Sequence, residues 1–504
     1  MKKSIKFYCL TVVFSFLLVV YPLLTNTCAG EQQKLKRPNI VFIYTDDQSF
    51  NTIASLGHPI VKTPNFDRLA QEGIAFTNAY NQGGWHVAIC AASRAMINSG
   101  RFLWNAHKRL DEDLRPESRG GLKQPERELA KMELWSQLLK SDGYTTYFTG
   151  KWHVSIPVKE LFDYVDLVRG PSPPMERSIA QLYQSRPIEG EDDVWSPFDP
   201  QFKGHWGEDG KHWAESLADS AIGFIDDASK RDKPFFMYLA FNSPHDPRQA
   251  PKEYVDQYPQ EKMDVPANFL PENPYKDIMG CTANLRDEKF APFPRTEYAV
   301  RIHRREYYAI ISHLDTQIGR ILDALEKSGK KENTYIFLTA DNGLAIGAHG
   351  LFGKQNLFEH SVKVPLLVVG PGLPKNQRIA EPVYLQDIVP TSLDVAGMET
   401  PKHVQFKSLM PLIRGGGDGE NQPHYKAIYG AYMMLQRMVR KGDFKLIVYP
   451  EKNIRLLFDL KNDPDEINNL ADKPEYAAKI QELFYELIKL QKETGDPLTL
   501  NMEN

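Results

Sequence analysis

Short apolar runs rich in β-branched and aromatic residues alternate along this chain with longer segments whose apolar positions recur every three or four residues. Residues 39–44 and 235–241 are nearly continuous apolar runs of strand length, as expected for strands covered on both faces. Residues 145–149, 335–339 and 366–369 are shorter runs of the same kind. Helical periodicity marks 213–229 and the long segment 304–327, with shorter helices at 133–140 and 64–73, the latter between Pro64 and Gly73. This alternation predicts an α/β domain: a large mixed, mostly parallel sheet flanked by helices. From 427 to 459 the period shortens to two, predicting antiparallel strands, and 475–493 reads as a terminal helix. Together these form a smaller C-terminal subdomain, 420–504, joined to a main domain, 37–414, by a linker at Gly415–Gly419. Residues 171–200 and 256–294 are rich in Pro, charge and aromatics, and read as insertions that wall a pocket, not as core.

The N-terminus changes the picture of where the chain works. Lys2, Lys3 and Lys6 precede an apolar run over 7–24, and small or polar residues including Thr27 and Ala29 follow at once. This predicts a cleaved signal peptide over 1–29 and an exported protein, periplasmic or secreted. Lipoprotein anchoring at Cys28 is a poorer match, and no stable membrane span is expected after cleavage. A net charge of −4 on 504 residues argues against nucleic acid as a partner, since phosphate-backbone binders carry a basic excess. Of four cysteines, Cys9 and Cys28 fall in the leader. Export alone would suggest a Cys90–Cys281 disulfide.

Polar residues with chemical potential follow the apolar runs repeatedly. Asp46-Asp47 follows 39–44, Lys151-Trp152-His153 follows 145–149, His245 follows 235–241, and Asp341-Asn342 follows 335–339. Ligands of open α/β sheets gather at the carboxyl ends of strands. Asp46, Asp47, Asp341 and Asn342 offer only oxygen, which suits a hard cation such as Ca2+. Alone, such Asp pairs more often cap helices or make turns. Cys90-Ala91-Ala92-Ser93-Arg94 follows apolar Val87-Ala88-Ile89, which alone would suit a buried structural cysteine. Lys151 and His153, two apart, can point to one side, and Pro244 and Pro247 hold the loop around His245. Trp85, His86, Trp104 and His107 flank the cysteine motif, and such aromatics suit the apolar faces of sugars, while Trp213 on its helix reads as core.

Taken with Thr63-Pro64-Asn65-Phe66-Asp67-Arg68, Ser243-Pro244-His245 and His349-Gly350-Leu351-Phe352-Gly353-Lys354, these motifs resemble formylglycine-dependent sulfatases of the alkaline phosphatase superfamily. The resemblance runs from Arg37 to about Ala471, and departs at Ala92, where Pro is commoner. It implies an alkaline phosphatase-like sandwich that hydrolyses sulfate esters. Cys90 would be oxidised to formylglycine by a maturation enzyme, leaving Cys281 a lone thiol. The hydrated aldehyde attacks sulfur with one hydroxyl, and collapse through the other expels sulfate. The resemblance makes Asp46, Asp47, Cys90, Asp341 and Asn342 the Ca2+ ligands. It places Arg94, Lys151 and His153 beside the formylglycine and sulfate, gives His245 and Lys354 the leaving oxygen, and makes His349 a sulfate contact. Export and the aromatic-rich insertions point to a sulfated saccharide substrate. Two other readings stand beside this one: a phosphodiester or phosphonate monoester hydrolase of the same superfamily, and a non-catalytic carbohydrate-binding surface protein.

Overall fold

The computed structural model describes residues 37–170, 177–415 and 423–500. The stretch expected to be a signal peptide, 1–29, and most of the expected linker at Gly415–Gly419 lie outside them. The main sheet is built from β1 Asn39–Thr45, β2 Ile74–Tyr80, β3 Thr145–Lys151, β4 Tyr164–Arg169, β5 Phe235–Ala240, β6 Thr334–Ala340 and β7 Lys363–Val369. The order across it is β2-β7-β6-β1-β5-β3-β4, with short strands Gln377–Ile379 and Val383–Tyr384 pairing with β2. The pairs β6-β1, β1-β5, β5-β3 and β3-β4 are parallel, and β7 is antiparallel to both neighbours.

β1 shows why these strands are apolar without interruption. Ile40, Phe42 and Tyr44 enter one hydrophobic cluster, while Val41 and Ile43 enter the other, on the opposite face. β5 repeats this with Phe236 and Tyr238 against Met237 and Leu239. Helix α1, Ile89–Ser99, covers the first face through Ala92, Ala95 and Met96. Helices α2, Trp213–Ser229, and α3, Glu297–Lys327, cover the second through residues such as Leu217, Ile310 and Ile318. The result is the layered α/β sandwich that the sequence predicts.

Two expectations need correction. The long helix begins at Glu297 and not at 304, because the Thr296 side chain caps it by accepting from the Ala299 amide. The insertions are also not merely walls: Tyr183, Trp195, Tyr258, Met263 and Phe290 join the core on the second face. Long irregular segments bury their large side chains wherever a neighbouring helix leaves apolar surface, and periodicity gives no sign of it.

The second sheet, β8 Ile428–Tyr432, β9 Gln436–Lys441, β10 Phe444–Tyr449 and β11 Ile454–Asp459, is an antiparallel meander, followed by helix α4, Ala477–Thr494. Residues Gly83–Gly84, just before α1, add to its β8 edge. Gly83 has φ of 89°, and a Cβ there would lie 2.1 Å from the Ala431 carbonyl oxygen, so only glycine permits this contact. Among the described residues no helix is long and apolar enough to cross a membrane.

Candidate active site

The carboxyl ends of β1, β3 and β6 converge on the first turn of α1, which carries Cys90. Backbone bonds continue the sheet past the strand ends: Asp46 N donates to Ser243 O at 3.1 Å and Asp341 N to Thr45 O at 3.1 Å. This brings Asp46, Asp47 and Asp341 together, with one oxygen from each within 4.8 Å of the others. Asp47 has φ of 63° and His153 of 50°, both in the left-handed region. Such non-glycine conformations cost about 1–3 kcal/mol each and cluster at functional sites.

Cations answer the acids. Arg94, one turn after Cys90 and fully buried, places Nη2 3.1 Å from Asp341 Oδ2 and 3.4 Å from Asp46 Oδ2. Its Nη1 donates to the Lys151 carbonyl at 2.9 Å, and its guanidinium lies over the Tyr44 ring at 4.8 Å. Lys151 pairs with Asp46. Lys354 donates to Asp47 Oδ2 at 2.7 Å, and Asn342 Nδ2 donates to Asp47 Oδ1 at 2.7 Å. Both lysines point at the cysteine, with Nζ 3.6 Å (Lys151) and 3.8 Å (Lys354) from Sγ. His245 Nε2 lies 3.7 Å from Asp47 Oδ2, and its Nδ1 is 2.7 Å from the Asp246 carbonyl oxygen.

Burial and neighbouring charge set the protonation states. Burial would raise the Asp46 carboxyl, but Lys151 leads a group of cations that hold it well below the usual range. Burial outweighs Lys354 at Asp47 and pushes it up to about 6. Burial and the charge of Asp46 push Asp341 up to about 7. The Cys90 thiol is raised by burial against the pull of Lys151 and Lys354. Burial, then Lys151, pulls His153 down to about 3 and His245 well below its usual value. Buried carboxylates this close demand positive charge. Asp46 Oδ1 and Asn342 Oδ1 are buried and accept no hydrogen bond. The cluster is thus an oxygen-lined site able to hold a metal ion.

A cavity of about 220 Å³ opens over Cys90, with His153, His245 and Lys354 in its walls. Arg286, Asp287 and Gln355 also line it. Sequence reading missed these: Arg286 and Asp287 sit in an insertion without a motif, though Asp246, beside His245, was in reach. Arg286 bridges Asp246 at 3.3 Å and Asp287 at 2.6 Å, and Gln355 donates to Asp287 at 2.8 Å. His349 is not brought to this cavity. It stacks on Phe358 at 4.0 Å, and its Nε2 lies 3.0 Å from Asn268 Nδ2. Cys90 and Cys281 are both free, and the Cys281 thiol donates to the Gln355 carbonyl at 3.3 Å. Trp104 belongs to the core, with Nε1 on the Tyr429 hydroxyl at 3.0 Å.

Comparison with known proteins decides the family. The family model named Sulfatase matches residues 38–398. The chain belongs to the sulfatase family. A second model, N-sulphoglucosamine sulphohydrolase, C-terminal, matches residues 347–493 of this sulfatase. An N-acetylglucosamine-6-O-sulfatase of Bacteroides thetaiotaomicron is 29% identical to it, covering 96% of this chain and 91% of its own. An arylsulfatase of Clostridium perfringens is 31% identical, covering 90% and 94%. Among solved structures, a protein in complex with its substrate D-glucosamine-2-N,6-O-disulfate superposes with a TM-score of 0.69 at 26% identity, covering 92% and 99%. The phosphonate monoester hydrolase of Agrobacterium radiobacter, with a TM-score of 0.68 at 21% identity and covering 91% and 96%, shares the fold. The sulfatase is thus an enzyme of the alkaline phosphatase superfamily.

Proposed function

We propose that this sulfatase is exported and removes sulfate from a saccharide, using formylglycine made from Cys90 and a calcium ion held at the acidic cluster. The observation that carries the proposal is the seat of Cys90: a buried thiol between two lysine ammonium groups, at the mouth of a carboxylate cluster. Amino-sugar sulfates are the leading substrate class, since an N-acetylglucosamine-6-O-sulfatase and a glucosamine disulfate complex are among its relatives. Residues 37–414 would carry the chemistry and 420–504 form the C-terminal subdomain.

Asp46, Asp47, Asp341 and Asn342, with the modified residue 90, would hold the ion. Their oxygen-only chemistry and the two unpartnered oxygens fit a hard cation. Calcium there supplies positive charge that keeps the carboxylates ionised and polarises a sulfate oxygen. Formylglycine, as its hydrate, supplies an oxygen nucleophile and, by reverting to the aldehyde, a route to release sulfate. The chain's own groups do the rest. Arg94 is fixed by Asp341 and the Lys151 carbonyl, so it can orient residue 90. Lys151, Lys354 and His153 surround the sulfate oxygens and stabilise their charge. His245 gives a proton to the departing alcohol oxygen. Its imidazole is neutral beside two lysines, and an incoming sulfate monoester brings negative charge that favours the protonated ring. His349 has no part in this proposal.

The shared fold of the phosphonate monoester hydrolase favours a second reading, hydrolysis of phosphodiesters or phosphonate monoesters. Assays of matched aryl sulfate, phosphate diester and phosphonate monoester separate the two. The proposal expects kcat/KM highest on the sulfate; a clear preference for either phosphorus ester would reverse the assignment.

A further inference from the structure

A second cleft, of about 490 Å³, opens beside the Cys90 cavity, and His153 lines both. Its size falls in the range of small-ligand pockets, roughly 300–1,000 Å³. His86, Asp111, Trp152, Ser155 and Arg169 form much of its remaining wall. None of these has a role in the chemistry above.

Arg169 is the feature that needs an explanation. It ends β4, the edge strand, and is the register partner of Lys151 on β3. Neighbouring strands lie about 4.8 Å apart, so two cations stand side by side on adjacent strand ends. Lys151 is matched by Asp46. Arg169 makes no ion pair and no side-chain hydrogen bond among the described residues, and its Nε is buried without a partner. Asp209 is near enough to be felt, but forms no bridge to it. The guanidinium lies over the Trp213 ring at 3.4 Å from its centroid. Stacking fixes the plane of the guanidinium before any ligand arrives, leaving its donors in a preorganised fork. Such a fork suits a sulfate or a carboxylate.

The rest of the cleft suits a sugar. Asp111 is fixed by the Trp85 indole N–H at 3.0 Å and the Ser155 hydroxyl at 2.9 Å. A carboxylate has about four acceptor sites, so Asp111 keeps capacity for sugar hydroxyls. His86 adds ring surface and is tethered, its Nδ1 accepting from the Ala88 amide at 3.0 Å, while Trp152, packed into the core, braces the wall with its Nε1 donating to the Ile156 carbonyl at 2.6 Å.

We infer that this cleft holds a second sugar of the same saccharide, and that Arg169 pairs with an anionic group on it while the first sugar's sulfate ester lies over residue 90. The inference rests on the saccharide reading above and adds to it: the substrate is an oligosaccharide charged on both units. The anion is a sulfate or a uronate carboxylate, and both match the guanidinium.

The test compares disaccharides that share one scissile sulfated sugar and differ in the neighbour: neutral, uronate, or sulfated, attached on either side. The full-length modified enzyme is assayed for kcat/KM on each and on the sulfated monosaccharide. At least one anionic neighbour should exceed the neutral one by about tenfold or more, a gap of about 1.4 kcal/mol. Which arm responds tells sulfate from uronate. The preference should shrink with added salt. In R169Q the ratio of anionic to neutral substrate should fall toward one, and R169K should keep part of it. Equal kcat/KM for neutral and anionic neighbours overturns the inference, and so does a preference that survives R169Q. The wild-type series decides even if R169Q does not fold. Loss of every saccharide activity, with an aryl sulfate still turned over, would instead refute the saccharide reading.

Discussion

At His245 two pressures meet on one imidazole. Burial and two lysines keep it neutral, while its proposed task requires a proton to give. If it protonates the leaving oxygen, its removal should matter most where the leaving group is poor. A sugar alcohol is poor; an activated phenol needs little help. His245→Ala should therefore lose about a hundred- to ten-thousand-fold in kcat on a sulfated sugar, and far less on 4-nitrophenyl sulfate. Lys151→Ala should harm both substrates alike, because the sulfate is common to them. Steady-state rates on both substrates check this, provided chemistry limits turnover. Equal losses for His245→Ala would make it a sulfate ligand and shift the acid role to Lys354, which lies 3.8 Å from Cys90 Sγ. Arg94 teaches a related lesson. On an exposed helix face it would be a solvated side chain; here it is fully buried between Asp46 and Asp341, a place that only the convergence of two strands creates.

The ends of β1 and β6 each deliver acids that repel one another unless positive charge intervenes. A cation bound there would tie these strand ends together, and ligands that bind only the folded state stabilise it. Chelation should thus lower the melting temperature as well as the activity, and calcium should restore both; about 3–4 kcal/mol is at stake if free metal stands at 100–1,000 times Kd. Unchanged melting after exhaustive chelation, read by calorimetry, would leave the acids to be balanced by Lys151, Lys354 and Arg94 alone. This is also the scale at which the sequence was most legible. β1, β5 and β6 announce themselves because both faces are buried, so their central residues form continuous apolar runs. β4 does not, because its exposure alternates at the sheet edge and its sequence carries charge. β2 was not read either. Asp46, Asp47, Lys151, His153, His245, Asp341 and Asn342 could be singled out because each lies at or just past the end of an apolar strand. Arg286, Asp287 and Gln355 were not, since they reach the cavity from irregular chain whose path no local pattern encodes. His349 was misplaced for the opposite reason: it stands five residues before Lys354 in one motif, yet its ring turns to Phe358 and Asn268.

The whole molecule buries many histidines, and acid should expose the cost. His205 is fully buried, its Nε2 2.9 Å from the His245 carbonyl oxygen. Burial pulls its pKa down to about 4, against an ordinary value near 6.5. The unfolded chain therefore takes a proton that the fold refuses. The stability tied to a neutral His205 is complete above about pH 6.5 and is lost as pH falls toward 4. Raised carboxyls such as Asp47 and Asp341 work in the opposite sense, so a variant isolates the effect. Between pH 6.5 and 4, wild type should lose up to about 3 kcal/mol more than His205→Gln, measured by denaturant unfolding at each pH. Parallel pH curves would contradict this. The central claim, that Cys90 acts only after conversion to formylglycine, has a more direct test. Preparations made with graded amounts of a maturation enzyme would be scored by peptide mass spectrometry, where conversion lowers the Cys90 peptide by about 18 Da. Each would then be assayed for sulfate release from a sulfated amino sugar. The rate should rise in proportion to the converted fraction and extrapolate to zero with the thiol form; full activity in a sample holding only thiol at Cys90 would contradict the account.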